Sequence, residues 1–275
     1  MQKEMNICLF EAREIRDAMP LPANDERALH IKKVLKKNVG ETFAAGIIGG
    51  KAGVATITKI GAAGEADDGA IYFSFEPRSD GKKLFPLEML IGFPRPIQLK
   101  RLLRDMAALG VRRVHLAGTE LGEKSYLKSS LAQKSEIHKI LYEGTVQAGG
   151  THIPENFIYP SLCKFFDNFE SGENQHTSTQ ESWHETLRTN QSHIKIALDN
   201  VNPKSSLTKF LQENSPEGKS VIAAIGSERG WTNNERDLLE SRGFVRLGMG
   251  ERIMRTETAA TVAASIILAQ MKNLE

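Results

Sequence analysis

The sequence predicts an α/β protein, a parallel sheet covered by helices on both faces and preceded by a small β-barrel. Three observations carry that prediction. From residue 87 onward strand-like and helical segments alternate, and a βαβα rhythm builds parallel sheets. Up to about residue 75 the chain instead offers short strand-like runs at close spacing, the signature of a small barrel. At 275 residues the chain also has room for about two domains, each with its own core.

The barrel strands are expected at NICLF, ETFAAGII, GVATITKI and AIYFSF, separated by turns such as GGKAG and GAAGEADDG. One helix interrupts them, over residues 24–37. Asn24 is its expected N-cap, Leu29, Val34 and Leu35 give it an apolar side, and Gly40 stands just past its end. EPRSDGKK reads as a linker, which sets the domains at 1–75 and 87–275 with residues 76–86 between them.

In the second domain LEMLIGF reads as a strand, residues 98–109 as a helix ending at Gly110, and RRVHLAG as a strand. A helix over residues 129–148 and the run NFIYPSL follow. After a gap come strand IKIALDN, helix 206–213, strand SVIAAIG, helix 233–241, strand FVRLGM and helix 258–272. Ligands on such sheets bind at the carboxyl ends of the strands. The gap, residues 167–193, is polar and aperiodic and reads as an exposed insertion or lid, with a short helix near Trp183. Its histidines, His176, His184 and His193, lack metal-ligand spacing and have no cysteine nearby, so no metal is expected.

Composition excludes several classes. The 40% hydrophobic and 25% charged content is that of a soluble globular protein. A formal charge of +2 is too small to argue for nucleic acid, so RNA contact must rest on local clusters or motifs. Two such clusters exist: Lys32, Lys33, Lys36 and Lys37, and Arg95, Lys100, Arg101 and Arg104; a solvated helix face is the competing reading of each. Cys8 and Cys163 are far apart and read as reduced thiols. The charged N-terminus is no signal peptide, and the weakly polar stretch 256–271 falls short of the roughly 20 residues that span a bilayer. A cytoplasmic protein without a membrane role is expected.

The chemistry concentrates in residues 225–260. The strand ending at Ile225 is closed by Gly226, where the missing Cβ lets backbone amides approach a ligand. Thr232 to Glu235 has the capping-box form, so the intervening loop leads into a helix N-terminus that favours an acceptor or anion. The second strand ends at Met249 and Gly250 and runs through Arg252 and Arg255, a residue type suited to phosphate or a planar base. The helix behind it carries Ala259, Ala260, Ala263, Ala264 and Ser265, small enough for tight internal packing or a subunit contact. There is no G-x-G-x-x-G opening a first βα unit, no P-loop and no G-x-S-x-G elbow.

Together these loops resemble a known family. IGSERGWTNNE resembles the IGPEGGFSxxE stretch of the RsmE family, the 16S ribosomal RNA uridine N3-methyltransferases, and MGERIMRTETA resembles its LGPRILRTETA. HIKKVLKKNVGETF and VQAGGTHIPE are weaker matches to that family's H-x-x-x-V-L-R-x-x-x-G-E and Q-S-G-R-x-x-x-P. The resemblance implies a SPOUT-type parallel sheet with a C-terminal trefoil knot holding S-adenosylmethionine, a PUA-like RNA-binding barrel in front of it, and a homodimer acting on 16S rRNA in the small ribosomal subunit.

By matched position, the resemblance places Ile225, Gly226, Glu228 and Gly230 in the first cofactor loop. It places Met249, Gly250, Ile253, Met254, Thr256 and Thr258 in the second, with Leu198 beside the adenine. Arg255 and then Arg252 are the expected groups for orienting the uracil or stabilising its anion. Glu257 or Glu228 would take the N3 proton, and either could equally cap a helix. Lys32, Lys33, Lys36, Lys37 and Arg229 are the expected RNA contacts.

Four positions depart from the family pattern. Ser227 and Glu251 replace prolines, Arg229 replaces a glycine, and Gly150 stands where the family has arginine. Arginine at 229 would be strained if that position required a positive φ. Arg229 and Gly150 motivate a second reading, a catalytically inactive RNA-binding or ribosome-assembly protein of the same fold. A third is an α/β enzyme acting on a small nucleotide metabolite.

Overall fold

The structure is a computed structural model that describes residues 7–171 and 193–274. The chain divides into two compact units, Met1–Leu84 with Tyr142–Ile153, and Phe85–Leu141 with Pro154–Glu275.

In the first unit, β1 (Cys8–Phe10), β2 (Thr42–Ile47), β3 (Ala52–Ile60) and β4 (Ile71–Ser79) form one sheet in that order. β1 is parallel to β2 and the other pairs are antiparallel, with Leu21 bridging to Ile71. Side chains alternate across a strand, so Phe43 and Ala45 of β2 and Ala55 and Ile57 of β3 turn inward to meet Phe10, Leu21, Ile31 and Ile71. β4 stays paired with β3 as far as Ser79, inside the segment read as a linker.

The helices of this unit are α1 (Ala12–Arg16) and α2 (Glu26–Lys33). The expected helix 24–37 is corrected at both ends. Asp25, not Asn24, is the N-cap, its carboxylate accepting from Arg27 N at 2.8 Å. The C-terminal end frays early, and Lys36 takes a left-handed φ of 52°. Arg27 also donates to Glu14 and to the Leu9 carbonyl, and hydrogen bonds to that guanidinium hold the Glu14 carboxyl below the usual carboxylate range.

The second unit contains β5 (Phe85–Gly92), α3 (Pro96–Ala108), β6 (Val111–Ala117), α4 (Lys134–Gln147), β7 (Glu155–Tyr159), α5 (Leu162–Ser171) and β8 (Ile194–Leu198). These are followed by β9 (Ser205–Ser206), α6 (Leu207–Glu213), β10 (Val221–Ile225), α7 (Asn233–Ser241), β11 (Val245–Gly248) and α8 (Thr256–Gln270). The last turns of α4 belong to the first unit. The seven strands make an entirely parallel sheet in the order β7-β6-β5-β10-β8-β11-β9.

The helices cover both faces. Leu90, Ile222, Ala224 and Ala197 meet Phe165 and Phe166 of α5 and Leu239 of α7. α3 packs on α8, and α8 on β5 and β10. The buried side of α3 reads Leu99, Leu102, Leu103, Met106 and Ala107, the spacing of an amphipathic helix. Ala260, Ala263 and Ala264 of α8 are fully buried within the single chain, so tight internal packing uses these small residues.

Three expectations shift here. The helix expected over 129–148 begins only at Lys134, after two short 3-10 turns, Tyr126–Lys128 and Ser130–Ala132. α8 begins at Thr256, two residues before the expected 258. Residues 167–171, read as the start of a polar insertion, are the end of α5. Its apolar residues Leu162, Phe165, Phe166 and Phe169 stand at i, i+3, i+4 and i+7, a pattern masked by the polar residues around them. The rest of that segment, with Trp183, His176 and His184, lies outside the described residues. No helix among the described residues is long and apolar enough to cross a membrane.

Candidate cofactor site

Parallel register brings the ends of three strands to one place. Leu198 pairs with Ile225 of β10 on one side and with Leu247 of β11 on the other. Beyond that edge lies a cavity of about 310 Å³. It is lined by Leu198, Ile225, Gly226, Glu228, Arg229, Gly230, Met249, Gly250, Arg252, Ile253, Met254 and Thr256. Gly226, directly after β10, and Gly250, two residues beyond the end of β11 rather than at its expected end, therefore face one space.

The first wall, residues 226–231, is tightly tied. A Cβ on Gly226 would come within 2.7 Å of the Gly230 backbone, so only glycine lets the loop fold this closely. Gly230 N donates to Ser227 O at 2.8 Å and takes φ +72°. Arg229 does not share that conformation, since the non-glycine residues with positive φ are Ala18, Lys36, Asn202 and Lys272 among the described residues. The arginine that replaces a family glycine is thus accommodated, and its side chain is exposed. Thr119 donates to Ser227 Oγ at 2.9 Å, Arg95 N donates to Glu228 Oε1 at 2.8 Å, and the buried Trp231 donates from Nε1 to Leu198 O at 3.2 Å.

The expected capping box is present. Thr232 Oγ1 accepts from Glu235 N, and Glu235 accepts from Thr232 N at 3.0 Å. Glu235, only 4% exposed, also accepts from Glu120 N at 2.8 Å, fastening the start of α7 to the turn after β6.

The second wall, residues 249–255, is open. Gly250 takes φ +95°, Arg252 is exposed, and Ile253 is 85% exposed. Among the described residues no side-chain hydrogen bond or ion pair anchors Glu251, Arg252 or Arg255. Arg255 is the N-cap of α8 and, with Thr258, does not line the cavity. Neither does Glu257, which is 8% exposed and has an Oε2 without a hydrogen-bond partner among the described residues.

Sequence reasoning missed several lining residues, chief among them Asp199 and Arg236. The Asp199 side chain is 2% exposed and accepts from Arg236 Nε at 2.6 Å and from Val201 N at 3.0 Å. Asp199 follows β8 directly, so its place at the carboxyl edge was readable. Arg236 was not, because its role depends on how α7 docks.

The lysine cluster lies in the first unit. Lys33 and Lys36 are exposed, whereas Lys32 Nζ donates to the Gly69 carbonyl. Among the described residues no group of three or more histidine, cysteine or acidic side chains could hold a metal ion.

A family model described as an RNA methyltransferase domain matches residues 81–268. The chain is 42% identical over 266 residues to the ribosomal RNA small subunit methyltransferase E of Treponema pallidum, covering 96% of this chain and 91% of that protein. It is 31% identical over 265 residues to ribosomal RNA small subunit methyltransferase E 1 of Borreliella burgdorferi, covering 96% and 98%. The fold is shared with the crystal structure of the Neisseria gonorrhoeae ribosomal RNA small subunit methyltransferase E bound to S-adenosyl methionine, at TM-score 0.69 and 18% identity over 96% of this chain and 97% of that one. The family model and these relatives together show that the chain belongs to the RNA methyltransferase family, alongside the ribosomal RNA small subunit methyltransferase E proteins.

Proposed function

We propose that this protein methylates N3 of a uridine in 16S rRNA of the small ribosomal subunit, with S-adenosylmethionine as donor. The observation that carries the reading is the convergence of Gly226 and Gly250 on one cavity beside Leu198. Its walls fit such a cofactor. Leu198, Ile225, Met249 and Ile253 offer apolar surface for an adenine, and the tight 226–230 loop exposes backbone polar groups without a Cβ in the way. When bound, the cofactor supplies a methyl group activated by its sulfonium.

The chain's own residues align the acceptor and manage its proton, since an in-line displacement needs little else. Uridine N3 is a poor nucleophile until its proton leaves. In this reading Glu228, which lines the cavity and accepts from Arg95 N, takes it rather than Glu257, which does not line the cavity. Arg252, also on the cavity, stabilises the negative charge left on the uracil. Arg255 holds the RNA just outside, and Glu257 positions the loop from within the fold. Gly230, Met254, Thr256 and Thr258 shape the cofactor loops.

The same reading makes the C-terminal chain the threaded part of a SPOUT trefoil knot. It makes the first unit, whose β4 runs to Ser79, a PUA-like barrel and the second unit, from Phe85, the methyltransferase domain, so that of the expected linker 76–86 only residues 80–84 lie between strands. Lys32, Lys33, Lys36, Lys37 and Arg229 then meet RNA phosphates, which provide affinity without reading sequence. The protein works in the cytoplasm as a homodimer. The test is methyl incorporation into small-subunit particles lacking the modification, followed by mapping of the base. Labelling at one uridine N3 is expected; labelling of free metabolites instead, or of no RNA at all, would overturn the reading.

A further inference from the structure

The cofactor cavity is not the larger opening on this edge of the sheet. Beyond the ends of β5, β6 and β7 lies a second cavity of about 830 Å³, contained within the second unit. Its apolar floor is Phe93 and Leu162, 3% and 2% exposed, with Leu127 and Leu238 beside them. Lys124 and Lys128 stand exposed at the rim, as do Glu123, whose Oε1 accepts from Ser125 N, and Glu120, whose Oε2 accepts from Thr232 Oγ1 at 2.7 Å. The two cavities share a partition. Thr119 and Glu235 line the second one, and they are the groups that hold Ser227 and Thr232 at either end of the first cofactor wall.

We propose that this second cavity binds a nucleotide of the RNA strand that flanks the target base, an inference that rests on the RNA-methylating reading above. An apolar floor packs against the face of a base, free carboxylate oxygens accept hydrogen bonds from ribose hydroxyls or base amino groups, and the two lysines donate to a phosphate. A volume more than twice that of the cofactor cavity suits a nucleotide attached to a chain rather than an ion.

Cys163 lines this cavity and is exposed, whereas Cys8 is buried, and burial pushes its thiol up to about 12. These are the chain's two cysteines, so a maleimide labels the cavity selectively in the full-length wild-type protein. An oligoribonucleotide spanning the target uridine is expected to slow N-ethylmaleimide labelling of Cys163, while uridine or adenosine monophosphate at equal nucleotide concentration is not. Labelled protein is expected to show about a tenfold rise in KM for RNA, the loss of one base contact, with unchanged S-adenosylmethionine affinity by calorimetry. The paired change Lys124→Glu with Lys128→Glu is expected to flatten the salt dependence of RNA binding by about one to two units of log–log slope.

Equal protection by mononucleotides would make this a free-nucleotide site and overturn the proposal. So would an unchanged KM, or a loss confined to cofactor binding. Failure of the underlying reading looks different: unlabelled protein would then neither bind S-adenosylmethionine nor methylate RNA, whatever happens at Cys163.

Discussion

The two walls of the candidate cofactor cavity are built from the same ingredients, a strand, a glycine beyond its end, a glutamate and arginines, yet they are held in different ways. Residues 226–231 are fixed by four separate ties, to Thr119, Arg95, Leu198 and within the loop itself. Residues 249–255 have no such side-chain anchors among the described residues, and Ile253 stands out at 85% exposure. One wall is tied to its neighbours on several sides; the other is open to solvent, as the proposed function asks of a loop that admits a nucleic acid.

That contrast breaks most visibly at Trp231. Trp231→Ala removes a buried indole and the tie to Leu198 and should cost about 3–5 kcal/mol of stability, with cofactor affinity falling too. Thermal unfolding and calorimetry read both. If stability dropped while the cofactor bound as before, the tied wall would not be the one that holds it.

Arg252→Ala probes the open wall. It should lower kcat about a hundredfold, as loss of a charge-stabilising donor does, while the melting temperature stays unchanged. A fall in stability instead would show that Arg252 supports the fold.

Away from both walls, the same sheet supplies a reference for what fully fixed charge looks like. Glu88 on β5 meets Arg113 at 3.1 Å and His115 at 2.9 Å, all three buried. Burial alone would raise the Glu88 carboxyl, but the His115 hydrogen bond and the charges of His115 and Arg113 outweigh it and bring it from 4.5 down to about 2. A carboxylate depressed in the folded state stabilises above its unfolded pKa, and that contribution is lost as pH falls through the folded one. Stability should therefore decline by roughly 3 kcal/mol between pH 4.5 and 2, and Glu88→Gln should remove this slope. Urea unfolding at a series of acid pH values measures it; an equal slope in the variant would assign the loss elsewhere.

Smaller effects sharpen the comparison further. Ser227→Ala loses one buried hydrogen bond with Thr119 and should cost about 1 kcal/mol. Ile253→Ser on the exposed wall should stay within about 0.5 kcal/mol in stability. Equal costs at the two positions would erase the distinction between the walls.

Much of this arrangement was legible in the residues. The parallel sheet followed from the alternation of strand and helix, and the start of α7 from the Thr232 and Glu235 pair, because both depend on local periodicity and capping. Gly226 marked the end of β10 for the same reason, whereas β11 ends at Gly248, before the Gly250 expected to close it. Asp199, Arg236 and Glu88 were not legible as parts of networks, since each acquires its partner from an element far along the chain. Arg229 shows the opposite error: the departure suggested strain, but the positive φ belongs to its neighbour Gly230. A family pattern with two adjacent glycines cannot say which of them the backbone needs.

The most direct test of the account is a calorimetric titration of S-adenosylmethionine into the wild-type protein and into Gly226→Val. A Cβ at 226 meets backbone at 2.7 Å, so the loop cannot keep its shape. Saturable one-site binding by the wild type, lost in the variant while the protein remains folded, is the expected result. Equal binding by both proteins, or none by the wild type at millimolar cofactor, would contradict the claim that the two glycine-closed strands form the cofactor site.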